Sequence, residues 1–232
     1  MSGEAGEVGG RGVSGAAREG AGRLPRLHVI AGDEVIGAEA CRQRLRPVLG
    51  AGGGGLALHL RVRRTPVARL FEVAERLAEE ARATGTLVIV NDRVDVALAA
   101  GAGGVHLRED SLPPGAVRAI AGPGLRVGRS IHGAGQAVAL RDEGLDYLFM
   151  GAAYATASHP ERTPAGPDAV STAAAQAAVP VLAIGGVTPA RVRELAALGV
   201  YGVAVLSGVW GRERPDRAVA RYLQVLEEEG LQ

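Results

Sequence analysis

Apolar residues fall along this chain in two alternating rhythms. Short runs occur at Leu27–Ala31, Leu56–Arg61, Leu87–Asp92, Gly104–Leu107, Arg126–His132, Tyr147–Gly151, Val179–Gly186 and Gly202–Ser207. Their length and β-branched content predict buried strands. Between them the spacing lengthens to that of a helix. Pro66–Ala83 carries Val67, Leu70, Val73, Ala74 and Leu77 on one face, and Pro189–Leu198 carries Val192, Leu195 and Ala196. Thr65-Pro66, Leu112-Pro113 and Thr188-Pro189 signal helix starts, and Gly85, Gly101, Gly144 and Gly199 signal helix ends. Eight strands alternating with eight helical stretches predict an α/β fold, a (β/α)8 TIM barrel. A doubly wound sheet competes, but no Gly-x-Gly-x-x-Gly follows the first run, which disfavours a dinucleotide-binding fold.

Residues 1–23 have no apolar periodicity and are rich in Gly, Ser, Ala, Glu and Arg. They also lack the apolar stretch of a signal peptide, so a disordered tail is expected there and a single barrel domain over 24–232. The whole sequence has 232 residues, 47% hydrophobic and 22% charged, with a formal net charge of +1. That balance gives no basis for nucleic-acid binding, and no apolar run is long enough for a membrane span. One cysteine, Cys41, rules out an internal disulfide framework and suits a reducing cytoplasm. No Cys/His pair stands at zinc-ligand spacing. The chain contains no lysine, so Schiff-base chemistry on a lysine side chain is excluded.

In a barrel of this kind, active groups project from the C-terminal ends of the strands. The polar residues collect there: His59 and Arg61 on the second strand, Asn91 and Asp92 on the third, His106 on the fourth, and Ser130 and His132 on the fifth. The loop after the sixth strand adds Thr156, Ser158 and His159. Period-two alternation turns His59 and Arg61 to one face, and Ser130 and His132 likewise. Strands seven and eight end in Gly185-Gly186 and Leu206-Ser207-Gly208, where backbone N–H groups can approach an anion and a short helix start would add its dipole. This predicts a phosphorylated small substrate. His28, near the start of strand one, reads as structural. His59 and His106 suit either a buried hydrogen-bonded role or a functional one. His132, beside Ser130 at the end of its strand, is the candidate acid/base, since imidazole ordinarily titrates near neutrality. Asp92 and Asp110 could meet to hold Mg2+, or else bond backbone, Arg93 and solvent.

Six stretches in order carry a family resemblance: Leu60-Arg61, Asn91-Asp92-Arg93-Val94-Asp95, Gly104-Val105-His106-Leu107, Gly128-Arg129-Ser130-Ile131-His132, Ala183–Pro189 and Gly202–Gly208. From about Leu27 to Glu229 the chain resembles the thiamine phosphate synthase/TenI superfamily of barrels. The synthase pattern has Gln-Leu-Arg-Glu-Lys on strand two, Gly-Gln-Glu/Asp-Asp after strand four and Thr-x-Thr-Lys after strand six. Here these places read His59-Leu60-Arg61-Val62-Arg63, Arg108-Glu109-Asp110-Ser111 and Thr156-Ala157-Ser158-His159. Three features that serve a diphosphate and its Mg2+ are altered together, whereas Gly-Arg-Ser-Ile-His resembles the TenI branch of thiazole tautomerases.

The resemblance implies that His132 moves a proton on a carboxythiazoline ylidene ethyl phosphate to give the aromatic carboxythiazole phosphate. Arg61, Asn91, His106, Ser130 and Thr156 would contact this substrate, and Gly185, Gly186, Leu206, Ser207 and Gly208 would hold its phosphate. Such chemistry needs no cofactor and no metal. The resemblance also suggests a homodimer in the cytoplasm. Two alternatives stand beside this reading: a thiamine phosphate synthase, which would need Mg2+, and a non-catalytic thiazole-phosphate binder.

Overall fold

All eight apolar runs become strands, and the computed structural model, which describes residues 22–156 and 163–230, closes them into a barrel. The strands are β1 (Leu27–Ala31), β2 (Leu56–Leu60), β3 (Leu87–Asn91), β4 (Gly104–Leu107), β5 (Arg126–Ile131), β6 (Tyr147–Gly151), β7 (Val181–Ile184) and β8 (Gly202–Val205). Each pairs in parallel with the next, and β8 returns to β1 through Leu27 opposite Val203. The helices are α1 (Asp33–Ile36), α2 (Cys41–Gly52), α3 (Val67–Thr84), α4 (Val94–Ala99), α5 (Pro114–Ala121), α6 (Ala134–Ala139), α7 (Pro167–Gln176), α8 (Pro189–Ala197), α9 (Ser207–Trp210) and α10 (Pro215–Glu228). The fold is a TIM barrel, as the alternating periods predict. The expected tail falls, up to residue 21, outside the described residues, as do Ser158 and His159.

Strand alternation sorts the core into two layers. Leu27, Val29, Leu58, Leu60, Val88, Val90, Val105 and Leu148 face outward against helix residues such as Leu45, Leu70, Leu77, Val117 and Leu195. One residue out of phase, Ile30, Ala57, Ile89, Tyr147, Phe149, Leu182 and Ala204 fill the barrel interior. Leu70, Val73, Ala74 and Leu77 of α3 are buried as their spacing predicts, but Val67, in the first turn, is exposed.

Several boundaries differ from the sequence reading for local reasons. β3 stops at Asn91 because Asp92 turns into the left-handed region at φ 60°. β7 is shorter at both ends: Pro180 has no N–H for the ladder, and Gly185 and Gly186 take φ of 95° and 64°. β2, β5 and β8 end one or two residues early, leaving Arg61, His132 and Ser207 just beyond the ladder, and Ser207 opens α9. Gly85 closes α3 in the left-handed conformation as expected, whereas Gly144 lies in the approach to β6, because α6 already ends at Ala139.

Candidate active site

The β→α loops converge on one end of the barrel, and the predicted residues are found there or just beneath it. His132 follows β5 directly. Its Nδ1 lies 3.1 Å from the Gly151 carbonyl on β6, and a carbonyl can only accept. The proton of the neutral ring therefore sits on Nδ1, leaving the Nε2 lone pair free. That Nε2 faces Glu109 Oε2 at 3.4 Å, and both side chains are about half exposed. Gln136 ties the pair together: its Oε1 accepts from the backbone N–H of His132 at 2.6 Å and of Gly133 at 3.2 Å, while its Nε2 donates to Glu109. Protonation at Nε2 would make an imidazolium facing a carboxylate. The arrangement can thus take up a proton and return it.

Glu109 and Gln136 were not singled out in the sequence. Gln136 had a readable signal, since a Gln three residues after a helix-capping glycine reaches back to the cap N–H. Glu109 had none, because a loop residue 27 positions from Gln136 is placed only by the fold.

Arg61 follows β2 and is half-buried. Burial first, then the neighbouring guanidinium groups of Arg63 and Arg108, press its pKa below the ordinary arginine range, while Asp92 and Asp33 offset part of that. It remains a cation, and among the described residues its side chain makes neither a hydrogen bond nor an ion pair. The loop carrying it is pinned by Asp33. Desolvation opposes ionisation of Asp33, but bonds from Thr65 Oγ1 and N (both 2.7 Å), Arg63 N (3.0 Å) and Arg64 N (3.1 Å) outweigh it and hold the carboxyl well below the usual range.

At β7 and β8, no hydrogen bond is made by the N–H groups of Gly186, Val187, Ser207 or Gly208 among the described residues. The chain there tolerates only glycine at key points. A Cβ on Gly185 would lie 2.8 Å from that of Ala152, one on Gly186 would lie 2.5 Å from the Ala155 carbonyl, and one on Gly208 would lie 2.4 Å from the Tyr222 hydroxyl. Tyr222 of α10 in turn donates to the Val187 carbonyl at 2.9 Å, locking the two loops together. Leu206 caps α9 beside them. Unpaired amides on a rigid frame are the groups an anion takes. Thr156 stands in the loop after β6, next to residues 157–162, which lie outside the described residues.

Asp92 and Asp110 do meet, but on Arg108. Asp92 accepts the Arg108 N–H at 2.9 Å and pairs with Nε at 2.7 Å, and Asp110 lies 3.6 Å from the same Nε. Arg93 pairs with Asp95 instead of Asp92. No group of three His, Cys, Asp or Glu suited to a metal occurs among the described residues. Mg2+ would require both carboxylates to leave a guanidinium, so the donor set as arranged does not fit the ion.

Asn91, Ser130, His59 and His106 lie lower. His106 is fully buried: its Nδ1 meets Tyr147 Oη at 3.1 Å and its Nε2 meets Ser130 Oγ at 2.9 Å, so it touches the mouth only through Ser130. His59 joins His28 below (Nε2 to Nδ1, 2.8 Å) and Asn91 above (Nδ1 to Oδ1, 3.3 Å). Burial pushes the His59 pKa down to about 3 and holds those of His28 and His106 well below the ordinary value.

The model of the family described as thiamine monophosphate synthase matches residues 27–209. A thiamine-phosphate synthase of Methanoculleus marisnigri is 40% identical over 199 residues, covering 85% of this chain and 93% of that protein. A bifunctional thiamine biosynthesis protein of Symbiobacterium thermophilum is 43% identical over 167 residues, which span 72% of this chain but only 35% of the larger protein. Among solved structures, a thiamine phosphate pyrophosphorylase from Pyrococcus furiosus aligns with a TM-score of 0.76 at 29% identity, covering 88% of this chain and 96% of that one.

Proposed function

This chain belongs to the thiamine monophosphate synthase family; we propose, from the geometry around His132 and apart from the activity its relatives are named for, that this thiamine biosynthesis enzyme acts as a thiazole tautomerase. The observation that carries the reading is the setting of His132: its Nδ1 lies 3.1 Å from the Gly151 carbonyl and its half-exposed Nε2 lies 3.4 Å from the Glu109 carboxylate. In this scheme the substrate phosphate rests on the amides of Gly186, Val187, Ser207 and Gly208, and its carboxylate pairs with Arg61. His132 Nε2 removes the proton from ring C2, the electrons shift through the conjugated system, and the imidazolium, facing Glu109, returns a proton to the exocyclic carbon. The ring becomes aromatic and His132 returns to its starting state. One base serves both transfers, and no step requires a metal.

The test is the ultraviolet absorbance change when the protein meets the thiazoline tautomer. Rapid aromatisation, slowed roughly 100- to 10,000-fold in His132→Ala, is the expected result, that being the usual worth of a general acid/base. Turnover no faster than the unaided reaction would overturn the reading.

A second reading has its own support. The comparisons favour it, since relatives at 35% and 40% identity are named thiamine-phosphate synthases, and Arg61, Arg63 and Arg108 gather positive charge suited to a diphosphate. In a synthase the thiazole nitrogen displaces pyrophosphate from the pyrimidine methylene, and a protein base has little to do. Against it stand Arg108 holding Asp92 and Ser111 at the expected metal-ligand position. Mg2+-dependent pyrophosphate release from hydroxymethylpyrimidine diphosphate with thiazole phosphate would establish this reaction. Tight product binding with neither activity would mark a binder.

A further inference from the structure

Two hydrogen-bonded chains run through the barrel interior to the mouth. One comprises the Pro25 carbonyl, His28, His59 and Asn91, with contacts of 3.0, 2.8 and 3.3 Å. The other comprises Tyr147, His106 and Ser130. All three imidazoles are buried, with Phe149 against each of them, its ring centroid 4.2 Å from that of His106.

Counting protons in the first chain exposes a conflict. Three hydrogen bonds need three protons, and the Pro25 carbonyl can only accept. If Asn91 Oδ1 is the atom against His59, the other end only accepts as well, and two neutral imidazoles bring just two protons. A third would require a charged imidazolium in an apolar barrel, which burial strongly disfavours. The two ends of a side-chain amide are interchangeable in shape, so the conflict vanishes when the Asn91 amide is turned over. Asn91 Nδ2 then donates to His59 Nδ1, His59 Nε2–H donates to His28 Nδ1, and His28 Nε2–H donates to Pro25.

The second chain has the opposite surplus. The Tyr147 hydroxyl is fully buried, and among the described residues the acceptor it meets is His106 Nδ1. His106 is therefore protonated on Nε2 and donates to Ser130 Oγ. The Ser130 proton is left to point outward.

We propose that these two chains fix the polarity of the groups on which they end, so that the mouth offers a ligand an acceptor at Asn91 and a donor at Ser130. His28, His59, His106 and Tyr147 are positioning residues in this scheme. The ligand it selects places a donor such as an N–H or amino group against Asn91, and an acceptor such as a carboxylate or ring nitrogen against Ser130. The inference concerns the protein without ligand and holds whichever reaction the site performs.

The test is nitrogen NMR of the full chain labelled in histidine and asparagine, at neutral pH and without ligand. His28, His59 and His106 should each show a protonated Nε2 and a bare Nδ1, and an Asn91 side-chain N–H should couple across a hydrogen bond to His59 Nδ1. Variants supply a control that a merely structural role would not satisfy. Glutamine at position 59 can accept from Asn91 and donate to His28, so His59→Gln should keep the Asn91 amide protected from exchange. His59→Leu, which has the bulk but neither bond, should lose that protection. A proton on His59 Nδ1, a charged His28 or His59, or equal protection in both variants would overturn the proposal. Should both variants fail to fold, the tautomers of the unaltered protein decide it.

Discussion

Mild acid is the perturbation that addresses the barrel interior most directly. His28, His59 and His106 are buried and neutral, with pKa values pushed below the ordinary value of 6.5 by burial, that of His59 to about 3. Unfolding releases each ring to titrate normally, so below about pH 6.5 the unfolded chain binds protons that the folded chain refuses. The stabilisation is therefore complete above the unfolded pKa and is lost as pH falls toward the folded values. At pH 5.5 each ring that stays neutral in the fold contributes on the order of 1 kcal/mol, so the three together cost a few kcal/mol relative to pH 8. Against a typical domain stability of about 5–15 kcal/mol this is a large loss. Carboxylates whose pKa is lowered, such as Asp33 and Asp95, titrate below this window and do not blur it. Urea unfolding followed by the fluorescence of Trp210, buried and bonded through Nε1 to the Ile30 carbonyl at 2.7 Å, reads the effect. Near pH 5.5 the slope should approach three protons, about 4 kcal/mol per pH unit, and His106→Gln should remove one of them. Stability that stays flat between pH 7 and 5.5 would refute the assignment of neutral rings. A slope of only two protons would mean that one ring is already charged, against the proton count drawn above.

Three further outcomes follow from single residues. Gly128→Ala places a Cβ 2.0 Å from Tyr147 Cζ, so the ring must leave its place in the barrel; a loss of about 3 kcal/mol or more in urea unfolding is expected. Asp33→Ala removes the acceptor that pins Arg63–Thr65 and should cost about 1–2 kcal/mol at pH 7. Because the folded pKa of Asp33 is depressed, the difference from the unaltered protein should fade as pH falls below the ordinary carboxylate range, which acid-dependent unfolding will show. Gly186→Ala strains a φ of 64° and meets the Ala155 carbonyl, so affinity for thiazole phosphate, measured by calorimetry, should fall roughly 10- to 100-fold, the worth of a charge-assisted hydrogen bond.

Periodicity made the barrel legible because every strand is buried on both faces and separated from the next by a helix, so the two rhythms never blur. Strand-end position and parity together pointed to His59, Arg61, Asn91, His106, Ser130 and His132, of which His59 and His106 lie buried beneath the mouth. Periodicity could not resolve α1 and α9, each of four residues, which are shorter than any window in which a helical period repeats. Nor could it choose partners. Asp92 and Asp110 looked like a metal pair because carboxylates at neighbouring strand ends converge, but Arg108, between them in the fold, takes both. Glu109 carried no local signal for the same reason: a loop side chain acquires its role from what another element, here Gln136 of α6, brings to it.

The interior also explains why polar rings occur where a barrel ordinarily packs Val, Ile and Leu. Gly128 faces inward, and a Cβ there would fall within the Tyr147 ring, 2.0 Å from Cζ. The space Gly128 gives up is taken by Tyr147, whose ring packs in turn with Phe149 and the three imidazoles. An imidazole in such a place needs a partner for each nitrogen, since an unpaired buried polar group costs about 1–3 kcal/mol. The partners available are the next imidazole, a carbonyl at the floor, a tyrosine hydroxyl and the polar residues at the mouth. Satisfying the core therefore commits Asn91 and Ser130 to one orientation each. Packing and recognition become the same constraint, so a substitution at His59 or Tyr147 is expected to change what the mouth can bind together with the stability of the core.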